Sequence, residues 1–311
     1  MVVFQGMFST MNKEMLNTKE VASYLKINEK QVYRLIKEKK IPATRITGKW
    51  TFPRRLIDEW ITESASENIG RKVRRELEDH IVVMGSNDFT IELLSHELTR
   101  RFPAFSLSFS NVGSIGGLIA LGRGSSHVAS CHLLDPDTGE YNLPYLPRYL
   151  PDLETRVINL IYRDLGFIIR PGNPLHIAGI EDLVRPGIRI INRQQGSGTR
   201  ILFDFELKRL GIDPGRVNGY DKEVNTHAEV ATAVLSGLAD VGIGTLAAAK
   251  MLGLEFVHIT KERYDLVIPQ ETFSTKPLIA LLEVIRSREF RGKVEQMGGY
   301  DTRDSGKIMS G

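Results

Sequence analysis

The stretch Asn192-Arg-Gln-Gln-Gly-Ser-Gly-Thr-Arg200 has the residue types and spacing of an anion cradle. Ile188 to Ile191 before it reads as a buried strand, and Ile201 to Leu210 after it repeats apolar residues at helical spacing. Ser197 and Thr199 are good helix caps, and Gly196 and Gly198 let a backbone turn tightly beside a ligand. The first turn of a helix leaves N–H groups unpaired at the positive end of its dipole, a geometry that holds anions. No Lys follows the second Gly, so the turn is not a nucleotide P-loop. An ordinary β–α turn with a Ser/Thr cap would read the same way. Two more strand-ending turns, Gly85-Ser86 and Gly113-Ser114, shift the balance toward anion binding, because ligands of open α/β sheets sit at the C-terminal ends of strands.

A different chemistry fills the front of the chain. Lys13 to Thr62 holds 12 Lys/Arg against 6 Asp/Glu, whereas His80 to Gly311 holds 25 against 27. A basic front on a near-neutral body points to a nucleic-acid module. Leu16 to Leu25 predicts a helix with Thr18 as its N-cap. After the turn Lys26-Ile27-Asn28, a second helix capped by Asn28 turns Val32, Leu35 and Ile36 inward. It leaves Lys30, Gln31, Tyr33, Arg34 and Lys37 facing out, donors suited to base edges and phosphates in a major groove. Alternation around Gly48 predicts a hairpin wing that lays Arg45 and Lys49 over the phosphate backbone, and Pro53 starts a third helix.

The remaining elements must position these two sites. The 311 residues divide into a DNA-binding domain at 14–62, a polar linker at 63–79 and a ligand-sensing domain at 80–311. Residues 1–12 show no pattern and read as frayed, and residues 71–77 of the linker could be helical. From His80 onward, short apolar runs at 81–84, 107–109 and 127–130 alternate with helical patterns at 90–102 and 118–124. Residues 157–162 and 165–170 read as separate strands divided by Arg163-Asp164, and 255–259 and 264–269 as a second such pair. Both pairs would carry the chain between two lobes. A single cysteine, Cys131, leaves no disulfide framework or Cys-based zinc site and suits a reducing cytoplasm. No signal peptide is expected, and no run of 18 apolar residues occurs. Asp135, Asp137 and Glu140 fail the EF-hand pattern and read as a turn capped by Asp135. The histidines stand singly, and neither Gly-x-Ser-x-Gly nor His-Glu-x-x-His occurs, so an enzyme is not expected.

Met15 to Thr62 resembles the excisionase-type winged helix-turn-helix family. It carries Leu-x-Thr-x-Glu-Val-Ala, Val-Tyr-Arg-Leu-Ile, Ile-Pro-Ala, Gly-Lys-Trp and Leu-x-x-Trp-Ile in that order. His80 to Tyr300 resembles the α/β, bilobed type II periplasmic-binding-protein-like domains that are fused to such regulators. The resemblance is carried by Val112-Gly-Ser-Ile-Gly-Gly-Leu118, His132 to Asn142, Asn192 to Arg200 and Ser236-Gly-Leu-Ala-Asp-Val-Gly-Ile-Gly244. The layout is similar to molybdate/tungstate-binding proteins, although the last turn lacks the tyrosine they often place there. The resemblance implies a cleft lined by Ser86, Ser114, Ser197, Gly198 and Thr199, with the Asn225–His227 turn around Thr226, and Gly244 and Thr245, from later in the chain. Arg200 stands beside these and would either add a charge-assisted bond or point to solvent. The expectation is a cytoplasmic, homodimeric transcription regulator that binds double-stranded DNA and senses a small oxyanion, molybdate or tungstate first, with no metal or other cofactor. The alternatives are another small anion or organic ligand, or an architectural DNA-binding protein with no ligand.

Overall fold

Two capping boxes set the first two helices. Asn17 Oδ1 accepts from Glu20 N at 3.0 Å, and the Glu20 carboxylate accepts from Asn17 N at 2.9 Å. Asn17, not Thr18, is thus the N-cap of α1 (Thr18–Tyr24). Asn28 and Gln31 repeat the device at the start of α2 (Glu29–Lys37). Strand β1 (Met15–Asn17) precedes α1, and the wing is β2 (Thr44–Ile46) and β3 (Lys49–Pro53). Thr47 and Gly48 between the wing strands have φ of 48° and 82°, the paired left-handed conformation a two-residue hairpin requires. The three strands are ordered β1-β3-β2. Helix α3 covers residues 54–61. Leu16, Val21, Val32, Ile41, Phe52 and Ile57 form the core of this unit.

The computed structural model describes residues 14–38, 40–61 and 79–309. The frayed start at 1–12 and the helical stretch at 71–77 expected from the sequence lie outside them, as does the linker except for Asp79. The chain divides into compact units at Met1–Arg71 and Lys72–Gly311.

The second unit is a mixed α/β fold. Strands β4 (His80–Gly85), β5 (Ser106–Asn111) and β6 (Val128–Cys131) run parallel in one lobe. Helices α4 (Phe89–Arg101) and α5 (Gly113–Gly122) follow β4 and β5, and the short α6 (Leu146–Tyr149) packs near α5. Strands β8 (Ile190–Arg193), β9 (Glu223–Val224) and β10 (Val241–Thr245) run parallel in the other lobe. Helices α7 (Gly198–Arg209), α8 (His227–Leu235) and α9 (Leu246–Met251) follow those strands in turn. Between the lobes lie two strands of 15 residues each, β7 (Thr155–Ile169) and β11 (Glu255–Pro269). The sheet order is β5-β4-β6-β11-β7-β10-β8-β9. Helices α10 (Lys276–Arg286) and α11 (Arg288–Met297) then pack on α4, and β12 (Tyr300–Asp301) pairs with β7.

The expected division of β7 and β11 into four strands is corrected here. Each runs unbroken, because Arg163 in β7 lies opposite Glu262 in β11 and the pair neutralises charges that would otherwise end an apolar run. Register shifts in β11 between His258 and Thr260 and between Tyr264 and Asp265 let one strand serve both lobes. Each lobe buries a separate apolar layer on both faces of its part of the sheet.

Candidate ligand site and nucleic-acid interface

The C-terminal ends of the parallel strands in the two lobes meet. Asn111, ending β5, donates from Nδ2 to the Asn225 carbonyl beyond β9 at 2.7 Å. The Gly196 carbonyl approaches the start of α5, and a Cβ built on Gly198 would lie 2.3 Å from the His132 carbonyl oxygen. Glycine is therefore required at position 198 by the opposite lobe, not by its own backbone.

His132, just beyond β6, is central to the first lobe's side. Its Nε2 lies 2.8 Å from Ser86 Oγ and its Nδ1 lies 3.2 Å from Glu262 Oε1. Burial pushes this histidine below its ordinary value, so the imidazole is neutral, donates from Nδ1 to the carboxylate and accepts the Ser86 hydroxyl. Ser114 Oγ accepts from the His132 backbone N–H. Two of the three serines expected to face the ligand, Ser86 and Ser114, thus hold His132. Burial alone would raise the Glu262 carboxyl, but His132 and Arg163 outweigh it and hold Glu262 at about 2. Arg163 is fully buried, with Nε 2.9 Å from Glu262 and Nη1 2.8 Å from Asp88.

Arg193, ending β8, stands in a different condition. It is 1% exposed, donates to the Asn225 carbonyl and to Gln194 Oε1, and pairs with no carboxylate among the described residues. Burial and the neighbouring Arg163 pull it down to about 10, so it stays charged at neutral pH. A buried cation that meets only neutral acceptors is costly unless something else compensates it. Several buried atoms of this unit lack any hydrogen-bond partner: Arg193 Nη1, Arg163 Nη2, Thr199 Oγ1, Thr245 Oγ1, Asn111 Oδ1 and both ring nitrogens of His227; of these residues, Arg163 and His227 lie close enough to feel the Arg193 charge, and Asn111 shares the Asn225 carbonyl with it. Burial, then Arg193 and Arg163, push His227 well below its ordinary value, so its ring is neutral. Buried polar atoms are almost always paired, and a cluster of orphans around a cation marks a ligand-binding place.

Of the residues expected from sequence, Thr199 and Thr245 supply orphaned hydroxyls. Ser197 Oγ caps α7 by accepting from Arg200 N, and Thr226 Oγ1 caps α8 by accepting from Glu229 N. Gly244 packs against Ile168 and His227. Arg200 departs from the expectation: its guanidinium is bound to Asp204 and Glu223 and lies 4.1 Å over the Tyr220 ring, so its charge is already compensated within its own lobe. His227 belongs to the Asn225–His227 turn expected at the cleft, whereas Arg193, Arg163, His132, Asn111 and Glu262 were not anticipated as ligand-site residues. A charge closing a buried parallel strand, as Arg193 closes Ile190-Ile191-Asn192, was the available signal.

In the first unit, Lys30, Tyr33, Arg34 and Lys37 are exposed on one helix, α2, and Arg45 and Lys49 are exposed on the wing. Arg45 donates to the Gly48 carbonyl and lies 5.9 Å from the Trp50 ring centre, which fixes the wing's outer face. Gln31 is the exception on α2: half-buried, its side chain accepts from Asn28 N to complete the cap.

A PBP superfamily domain matches residues 95–286 and a helix-turn-helix domain matches residues 15–65. The uncharacterized protein YvgK of Bacillus subtilis is 33% identical over 298 residues, spanning 93% of this chain and 96% of its own length. A Clostridium perfringens structure, described as a phosphate ABC transporter substrate-binding protein with bound phosphate, covers 70% of this chain and 98% of its own at 14% identity and a TM-score of 0.53. The Synechocystis PCC6803 CcmR regulatory domain in complex with 2-PG covers 67% of this chain and 94% of its own, at 14% identity and a TM-score of 0.50. These two structures share the fold with residues of the second unit. The chain belongs to the PBP superfamily and carries a helix-turn-helix domain near its N-terminal end.

Proposed function

We propose that the protein is a transcription regulator that binds double-stranded DNA through α2 and the wing and senses a small oxyanion between the lobes of its second unit. The observation that carries the ligand reading is Arg193, a buried guanidinium without a carboxylate partner among the described residues, surrounded by orphaned donors. An oxyanion meets Arg193 Nη1, Arg163 Nη2 and the Thr199 and Thr245 hydroxyls at once. This donor set adds two buried guanidinium groups to the hydroxyls expected from sequence, whereas Arg200, expected beside them, is bound to Asp204 and Glu223. The ligand reads out through lobe closure about β7 and β11, and it shifts DNA affinity only by its preference for the closed form. DNA binding places the protein in the cytoplasm, and one small helix-turn-helix favours a homodimer.

Isothermal titration of the full chain with molybdate, tungstate, sulfate and phosphate tests this. The resemblance to molybdate/tungstate binders puts the first two in the panel. At least one anion is expected to bind well below millimolar Kd, and Arg193→Ala is expected to abolish it. If none binds tighter than about 1 mM, roughly 4 kcal/mol, the oxyanion reading fails.

A further inference from the structure

Arg163 and Thr245 reach the site from different elements, the middle of β7 and the start of α9, and each keeps one buried atom without a partner. One short segment touches the immediate neighbour of both. After α11 the chain passes through Gly298 and Gly299 into β12, which pairs antiparallel with β7. Tyr300 lies opposite Arg163, and Asp301 opposite Tyr162. The Gly299 carbonyl accepts from Asp164 N at 2.8 Å. Gly299 has a φ of 79°, and a Cβ built on it would lie 2.7 Å from Leu246 Cβ, so the segment rests directly on the first residue of α9. Thr245, next to Leu246, is the N-cap of that helix. Helix α9 is itself shared between the lobes: Ala247 is buried in the first lobe's apolar layer, and Ala248 and Ala249 in the second lobe's.

The Tyr300 side chain makes the other contact. It is buried in the first lobe's layer, and its hydroxyl lies 3.1 and 3.3 Å from the two carboxylate oxygens of Asp88. Burial, then the Asp88 charge, push the phenol well above its ordinary value, so the hydroxyl keeps its proton and donates. Asp88 also takes Thr90 N and Oγ1 on Oδ1, and Arg163 Nη1 on Oδ2. A guanidinium is planar, so holding Nε at Glu262 and Nη1 at Asp88 fixes where Nη2 points. Tyr300 therefore acts on the carboxylate that aims Arg163.

We infer that residues 298–301 form a strap that positions the two donors of the site, holding Arg163 through Tyr300 and Asp88, and Thr245 through Gly299 and Leu246. What the two donors hold rests on the oxyanion reading above, whereas their placement by the strap does not. Partners one step removed from a ligand matter because they decide whether a donor waits in the right direction or must be ordered when the ligand arrives.

The test is Tyr300→Phe and Gly299→Ala in the full chain. Each is titrated with molybdate, tungstate, sulfate and phosphate, melted, and followed by NMR with labelled arginine and threonine. Tyr300→Phe removes one hydroxyl and keeps the ring. It is expected to weaken whichever of the four anions binds tightest at least about tenfold, as loss of an outer partner does at metal sites. It is also expected to shift the guanidinium signals of Arg163 and leave those of Arg193 in place. Gly299→Ala is expected to shift the Thr245 signals and to weaken the same anion. Unchanged affinity in Tyr300→Phe, or Arg163 signals that stay put, overturns the inference whether or not Gly299→Ala folds. Arg163 and Arg193 signals that move together with a lowered melting temperature mark a merely structural role and overturn it as well. If none of the four anions binds the wild type, the oxyanion reading fails alone, and the Arg163 and Thr245 signals still decide for or against the strap.

Discussion

At the scale of single residues, Glu262 links the site to stability. It holds Arg163 and His132 together with essentially no exposure to water. Its carboxyl lies at about 2 instead of its ordinary 4.5. A depressed carboxyl contributes stability that is fully present above the ordinary value and is lost as pH falls toward the folded one. Glu262→Gln is expected to cost about 3 kcal/mol at neutral pH, since it leaves a buried guanidinium with one carboxylate in place of two. The gap between wild type and variant should shrink from pH 4.5 toward pH 2, followed by chemical denaturation across that range. An equal gap at all pH values would refute the assignment. In the first unit, Arg34→Ala should weaken operator binding with the fold intact, because Arg34 is exposed on α2. Lys49→Ala should instead weaken binding to all sequences and lower the salt slope by about one, as loss of one phosphate contact does. Gel shifts over a salt series separate the two, and an Arg34→Ala variant with wild-type affinity counts against α2 as the reading helix. The outward residues of α2 were legible because a short helix with a periodic apolar face leaves few orientations open. Arg163 was not, since its partner Glu262 lies 99 residues along the chain and periodicity carries no information at that range.

At the scale of elements, the strand ends and their turns could be read from sequence, but the continuity of β7 and β11 could not. A charged residue in an apolar run normally marks a break, and only the cross-strand register shows that Arg163 and Glu262 cancel. The turn Gly196-Ser197-Gly198 was also legible, although the reason for Gly198 was not. Its Cβ would strike His132 of the facing lobe, which supplies the three nearest atoms outside α7's own backbone. Gly198→Ala is therefore expected to leave thermal stability within about 1 kcal/mol of wild type, since helix α7 accepts alanine readily. The same methyl group should wedge the lobes apart and weaken anion binding at least about tenfold, because the closed arrangement is what brings Arg193 toward His132 and Arg163. Titration alongside thermal melting checks this, and unchanged affinity would show that the lobes need not approach so closely.

At the scale of the whole molecule, a reading head whose core is made by residues 16 to 57 contacts few base pairs by itself. A homodimer on an inverted repeat is expected, and light scattering that shows a monomer with and without DNA argues against it. The position of β11 has a consequence for how the chain is made. In the sheet it lies between β6 and β7, yet in the chain it follows every strand of the second lobe. The first lobe therefore lacks an inner strand until residue 269 has left the ribosome, although its other strands emerged more than a hundred residues earlier. Its exposed β6 edge must wait through the synthesis of the whole second lobe, whereas the reading head can close its own core long before. Nascent chains arrested before residue 255 should thus hold a protease-resistant head beside a lobe that is still digestible, and the two lobes should become resistant together.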